Sequence, residues 1–498
     1  MAALSTTGPA RDGNEENDVH HVHHVHHARP VCPVRPVHSV RSVRPTRNDM
    51  TAGETIRLLA ALAVICAAAH GCGFLFGALR QPPVIGEVVG GILLGPSLLG
   101  LVAPEARAAL FPASGAVTSA LDAIYQLGQL LLMFLAGAEL RIRAGGRERR
   151  TGAIVAAAGL VVPFAAGAGI AVLVPGAFSG PAGSAVTTAL VVGLAMAVAA
   201  IPVISRIMMD LKIMDTAFGR IVLMVAVIED VILYVVLAVV VGLARTGTSS
   251  PVGLWDVIGT TAVVPTAVYF TVVSLLFFAA SLTWGARLFH RLAGHRANIV
   301  ARQSPVAFRL IFLCAMVLLC LGLGINAVFG ALMAGVCAAR GDQAAENEAS
   351  REAGREPAVW SAIHQFSMAF FIPVFFVLVG MRLDLVRAFD PLFFLWFLAL
   401  ACGVKMVSIW AAARLAGEDR VFSSSLAVAL NARGTIGIVL AGVTRQAELI
   451  NDQFFVVLVL VSLATSQIAG FRLSKVADRL MTPTATGPPR QRQRSGQV

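Results

Sequence analysis

The chain has 498 residues, of which 57% are hydrophobic and 13% charged, with a mean hydropathy of +0.78. Soluble domains carry about 25% charged residues, so the composition excludes an ordinary soluble fold and reads as an all-α polytopic membrane protein. The net charge of +11 does not point to nucleic acid, because the Arg residues lie in loops and tails between apolar runs, where the positive-inside rule places them.

Residues 1–49 are rich in Arg, Pro and His, with HHVHHVHH at His20–His27. Nothing there buries a core, so the stretch reads as a disordered tail rather than a metal-binding tract. It has no apolar core of a cleavable signal peptide, and Met50 opens the first segment capable of structure. Met50 is therefore expected to be the true start, with a membrane domain over 50–474. Residues 475–498 read as a second basic, disordered tail with no room for a soluble regulatory domain.

Thirteen apolar segments follow Met50, at approximately 55–79, 84–100, 118–140, 152–175, 186–209, 217–243, 261–285, 306–323, 325–339, 362–381, 391–413, 422–443 and 453–473. A bilayer crossing needs roughly 20 apolar residues. The loop after segment three carries Arg141, Arg143, Arg147, Arg149 and Arg150. Those after segments five and seven carry Arg206, Lys212 and Arg220, and Arg287, Arg291, Arg296 and Arg302. GAFSGPAGS after segment four is uncharged. Odd-numbered segments are therefore expected to end in the cytoplasm, with the N-terminus outside the cell membrane and the C-terminus inside. That leaves the basic N-terminal tail on the disfavoured side, a second reason to begin at Met50.

An internal repeat is legible. GEVVGGILLGP in segment two echoes NAVFGALMAG in segment nine, and MFLAGAELRI in segment three echoes FFVLVGMRLD in segment ten, sharing Gly-x-x-Leu at Gly137/Leu140 and Gly380/Leu383. Both pairs stand seven segments apart. An odd offset gives the halves opposite topology, an inverted repeat of the kind on which many secondary transporters are built.

Segment six interrupts its apolar run with two adjacent acids, Glu229 and Asp230. A charge near the bilayer centre costs about 2.5 to 3.5 kcal/mol, so each acid needs a partner or a wet cavity. Neighbours on a helix project about 100° apart, so one acid can be paired while the other stays open. The competing reading is a structural pair satisfied by a neighbouring helix.

The seven-segment offset carries segment five, AVAAIPVISRIM with Ala199 and Pro202, onto segment twelve, NARGTIGIVLAG with Asn431, Gly434 and Gly437. Pro202 removes a helical hydrogen bond and the glycines loosen the second stretch. Two broken helices meeting at mid-membrane would offer carbonyls and helix ends to an ion; for Pro202 alone, an ordinary kink competes. Segment eleven places Lys405 far from either end. Of 39 basic residues only three are Lys, and Lys can release a proton where Arg effectively cannot; snorkelling to the interface is the alternative. Arg433, the other intramembrane cation, is expected to neutralise a helix end or to pair with an acid.

Other features carry less. Glu87 follows Pro82 and Pro83, where an acid suits a helix start. The seven cysteines are scattered as small apolar residues. His70 and His364 lack a paired ligand at helical spacing and read as satisfied core histidines. No phosphate loop, HExxH or nucleophile elbow appears, so neither an enzyme nor a cofactor is implied.

These residues together resemble the monovalent cation:proton antiporter family, the bacterial-type sodium/hydrogen and potassium-efflux exchangers. The likeness covers all thirteen segments. It rests on QPPVIGEVVGGILLGPSLLG (81–100), LLLMFLAGAEL (130–140), AAIPVISRIMMDL (199–211), AVIEDV (226–231), FFIPVFFVLVGMRLDL (370–385), VKM (404–406) and NARGTIGIVL (431–440). The resemblance implies a core with two crossed broken helices moving against a dimerisation domain in a homodimer. It implies that Asp230 binds Na⁺ or K⁺ in turn with H⁺, and that Glu229 pairs with Lys405. Two departures stand out: Glu229 occupies a position where the family commonly has Asp, Asn or Gln, and Ala197 and Ala199 replace frequent Ser and Thr. The expected function is exchange of a monovalent cation for protons; an uncoupled channel or ion sensor on the same scaffold is the alternative.

Overall fold

The computed structural model describes residues 51–79, 81–138, 146–199, 204, 208, 211–214, 216–244, 263–348 and 356–481. The expectations for residues 1–49, for Met50 as the start and for a break at Pro202 lie outside the described residues, as does most of 475–498. Among the described residues the chain is helical apart from turns and one isolated bridge between Ser179 and Ile450.

Helix starts follow local chemistry. In α1 (Ala52–Ala78) the Thr51 hydroxyl accepts from the Glu54 N–H while the Glu54 carboxylate accepts from the Thr51 N–H, a capping box that satisfies two first-turn donors. α2 (Pro83–Leu94) begins on a proline, which lacks the N–H that a first turn would leave unpaired. Glu87 lies buried a turn further in. α3 (Ala116–Ala138) and α4 (Gly146–Leu173) follow, and Ser184 with Thr187 makes a second capping box for α5 (Ala185–Ala197). Next come α6 (Ala217–Ala244) and α7 (Val263–Ala280), the latter continued through a π turn into α8 (Ala286–Gly294). Then come α9 (Pro305–Gly322), α10 (Ala327–Glu348) and α11 (Glu356–Phe366), which passes through a second π turn into α12 (Ile372–Met381). Asp390 caps α13 (Pro391–Leu415) and Asp419 caps α14 (Arg420–Ala429), ahead of α15 (Gly434–Gln446) and α16 (Asp452–Met481).

Among the described residues, eleven helical stretches are long and apolar enough to cross a bilayer. The places of segments five and nine are taken by two shorter apolar helices, Ala185–Ala197 and Ala327–Gly341. Segment twelve is interrupted: α14 ends at Ala429 and α15 restarts at Gly434, whose φ of +44° only glycine adopts readily.

The helices sort into two packed groups. α1, α2, α3, α9, α10 and α12 pack mainly on one another, as do α4, α5, α6, α13, α14, α15 and α16, and α6 lies against α7. In the first group the crossings are made by glycines. A Cβ on Gly91 would run into the Val377 carbonyl and one on Gly380 into that of Val88, which locks α2 against α12. A Cβ on Gly137 would meet the Leu332 carbonyl and one on Gly335 that of Phe134, which locks α3 against α10. The repeat relates segment two to nine and ten to three, so the second crossing is the mate of the first; Phe134 and Val377 are equivalent positions. Small residues are what let helix backbones touch inside a membrane.

The histidine reading needs correction. His70 and His364 are exposed on helix surfaces rather than in the core, and His70 Nε2 lies 2.9 Å from the Ala369 carbonyl in the second π turn.

Candidate functional site

Glu229 and Asp230 lie midway along α6, at 1% and 2% exposure. Lys405, on α13, is fully buried, and its Nζ stands 2.8 Å from Glu229 Oε2. The same ammonium donates to the Ala197 carbonyl at the end of α5. An amine turned inward onto these two acceptors does not snorkel. Among the described residues, Glu229 Oε1 makes no hydrogen bond, and it faces Gly159 of α4, where a Cβ would sit 3.1 Å from it. Asp230 Oδ1 is likewise buried without a hydrogen-bond partner among the described residues. The 100° offset between neighbours thus gives the two acids different surroundings: one is paired with an amine, and the other presents a buried oxygen with no donor.

Arg433, at the interruption between α14 and α15, is 1% exposed. Its Nε donates to the Ala195 carbonyl at 3.0 Å, and Nη2 donates to Met196 and Ala401 carbonyls, each at 3.1 Å. Nη1 donates to Asn431 Oδ1 at 3.2 Å and lies 3.9 Å from Cys402 Sγ. Its backbone N–H donates to Thr465 Oγ1. The last carbonyls of a helix have no partner within it and carry the negative end of its dipole. At α5 three of them, on Ala195, Met196 and Ala197, are met by the two buried cations.

Of the residues singled out from sequence, Glu229, Lys405, Arg433 and Asn431 are therefore linked by hydrogen bonds, directly or through the end of α5. Asp230 adjoins Glu229 on the same helix. Ala199 is buried just past α5, whose capping residue Val198 is already extended with ψ 142°. The interruption thus begins before Pro202. Gly434 opens α15, as its positive φ requires, but Gly437 lies inside regular helix, where a Cβ would strike Ser462 Oγ. Its smallness serves packing, not loosening.

Two contributors, both on the helices around the ion pair, carried little or no signal in the sequence. The carbonyls of Ala195 to Ala197 are main-chain atoms, and Gly159 is one glycine among 46. Tyr234 was findable: it sits one helical turn after Asp230, is buried, and its hydroxyl donates to Met133 Sδ of α3 at 2.7 Å, bridging the two helix groups. Tyr125 does likewise near the end of α15, with its hydroxyl 2.5 Å from where a Cβ on Gly442 would stand. Among the described residues no group of three or more His, Cys, Asp and Glu side chains is placed to hold a metal ion.

Comparison with known proteins places this geometry in context. The profile of the family described as sodium/hydrogen exchanger, transmembrane, matches residues 61–479. Cation/H(+) antiporter 20 of Arabidopsis thaliana is 28% identical over 424 residues, covering 82% of this chain and 47% of that protein. The chain thus spans about half the length of that plant relative. The Na(+)/H(+) antiporter NhaS4 of Synechocystis is 25% identical over 434 residues, covering 86% of this chain and 98% of that one. Among solved structures, the sodium proton antiporter MjNhaP1 of Methanocaldococcus jannaschii superposes with a TM-score of 0.56 at 12% identity, over 86% of this chain and 98% of that one. At that identity the match speaks to the fold alone.

Proposed function

The chain belongs to the sodium/hydrogen exchanger family, and on that premise we propose that it is a secondary antiporter exchanging Na⁺ or K⁺ for H⁺ by alternating access. The observation that carries the proposal is Asp230: a buried carboxylate with an unpartnered oxygen, beside an acid already held by an amine. One carboxylate that takes either a proton or a cation couples the two fluxes by mutual exclusion. The related proteins' names support this reading, since they are cation/H(+) and Na(+)/H(+) antiporters.

In this mechanism the ion's principal ligand is Asp230, and Lys405 is the counter-charge. The amine rests on Glu229 while the site is proton-loaded and is released when a cation arrives. Arg433 and Asn431 hold the ends of the interrupted helices in register. The protein works as a homodimer in the cell membrane, with its C-terminus in the cytoplasm, and serves ion and pH homeostasis.

The test is flux in proteoliposomes. An imposed Na⁺ or K⁺ gradient is expected to drive protons uphill, and Asp230→Asn to abolish this. Cation flux without uphill proton movement would leave an uncoupled channel, and retained exchange in the variant would remove Asp230 from the site.

A further inference from the structure

A hollow outside the ion site lies between α4 and α13, with a volume of about 560 Å³. Its walls are Ile154, Ala158 and Val162 on one side and Val404, Val407 and Leu415 on the other. It opens on the lipid-facing surface, where Val162, Val407 and Leu415 are 47%, 65% and 85% exposed. Its one side-chain hydroxyl, on Ser408, is turned away onto the Lys405 carbonyl at 2.9 Å.

The groove has a direction. Ile154 to Val162 is eight residues of helix, and Gly403 to Leu415 is twelve, so it runs about 12 to 18 Å at 1.5 Å per residue. One leaflet of a hydrocarbon core about 30 Å thick is about 15 Å deep. The groove therefore reaches from the level of Lys405 to one membrane surface, the depth of a single acyl chain.

Its outer end is basic. Arg150 stands one turn before Ile154 on the same stripe of α4, Arg149 adjoins it, and Arg414 lies beside Leu415; all three are exposed. The nearby acids are engaged: Glu148 pairs with Arg220, and Glu418 accepts from Thr151 Oγ1 while its carbonyl accepts from Arg414. The three arginines thus stand on the ends of α4 and α13 that flank the groove's outer end, and an arginine takes phosphate in bidentate fashion.

We propose that this groove is a binding site for one anionic phospholipid, with an acyl chain lying between α4 and α13 and its phosphate held by Arg149, Arg150 and Arg414. Such a chain lies one helix wall from the buried ion pair. Ala158 precedes Gly159, which faces Glu229, and Val404 and Ser408 flank Lys405. A seated chain closes that wall against water. The proposal stands whether or not the ion-exchange reading does.

Native mass spectrometry of the full chain, titrated in detergent with dioleoylphosphatidylglycerol or dioleoylphosphatidylcholine, tests it. One phosphatidylglycerol per chain is expected to bind in preference to phosphatidylcholine, and Arg149→Gln with Arg150→Gln is expected to weaken it roughly fivefold per arginine. Gly403→Phe fills the inner end, where a Cβ meets nothing within 4 Å, and is expected to expel the lipid while leaving the melting temperature unchanged. Equal affinity for the two lipids overturns the proposal. So does a preference that survives either variant, because the headgroup and the chain must both be lost for one site to hold them.

Discussion

Replacing Lys405 by Met leaves Glu229 buried with neither oxygen partnered and strips the Ala197 carbonyl of its ammonium. At 2.8 Å and an effective dielectric of about 20, the attraction between the two charges is about 6 kcal/mol. Bringing each ion out of water costs several kcal/mol, so the pair as a whole contributes little. Breaking it is another matter, since one uncompensated buried charge costs about 3 to 5 kcal/mol. Lys405→Met and Glu229→Met are therefore each expected to destabilise by that amount. The double variant removes both charges and strands only one carbonyl, and should return to within about 1 to 3 kcal/mol of the native protein. Thermal unfolding of the four proteins in one detergent closes the cycle. A double variant that loses as much as the two single variants combined would refute the reasoning.

Arg433→Lys replaces a planar fork by a single ammonium, which cannot reach carbonyls on α5 and α13 and Asn431 together; a loss of about 1 to 3 kcal/mol is expected for each acceptor left bare. A variant melting with the native protein would count against that role. Gly159→Ala puts a methyl 3.0 Å from Ile409 Cγ1 and 3.1 Å from Glu229 Oε1, so about 1 to 3 kcal/mol of overpacking should appear in the melting temperature together with slower exchange. Gly403, on the open side of α13, should tolerate Ala in the same two assays. If one carboxylate serves both ions, the apparent KM for cation should rise towards about tenfold per unit fall in pH, with the maximal rate little changed; initial-rate fluxes at several pH values check this, and a KM indifferent to pH speaks against a shared site.

Much of the site was legible because charge is costly in lipid. Glu229, Asp230, Lys405 and Arg433 stand out from apolar runs for that reason alone, and the structure brings Glu229, Lys405 and Arg433 together around the end of α5. The location of the helix break was less legible. Pro202 draws attention because it lacks an N–H, yet α5 stops at Ala197, where buried cations satisfy its final carbonyls and make an early end inexpensive. Gly434 and Gly437 look alike in sequence; only a backbone with φ of +44° at the first and Ser462 against the second separates a hinge from a packing contact. His70 misled because a polar residue in an apolar run reads as buried, whereas the π turn at Ser367–Phe371 brings a carbonyl to the surface for it.

The paired glycine crossings in the first helix group have a mechanical consequence. Where main chain rests on main chain there are no side-chain torsions to take up slack, so α2 with α12 and α3 with α10 behave as a truss that resists sliding. The carboxylates ride on the other group, which meets this truss through α7 and α8, packed on α6 and α10, and through side-chain contacts such as Tyr234 on Met133. On the proposed exchange reading, the stroke that carries an ion from one face of the bilayer to the other then falls to the charged half, with the glycine-crossed group as its frame.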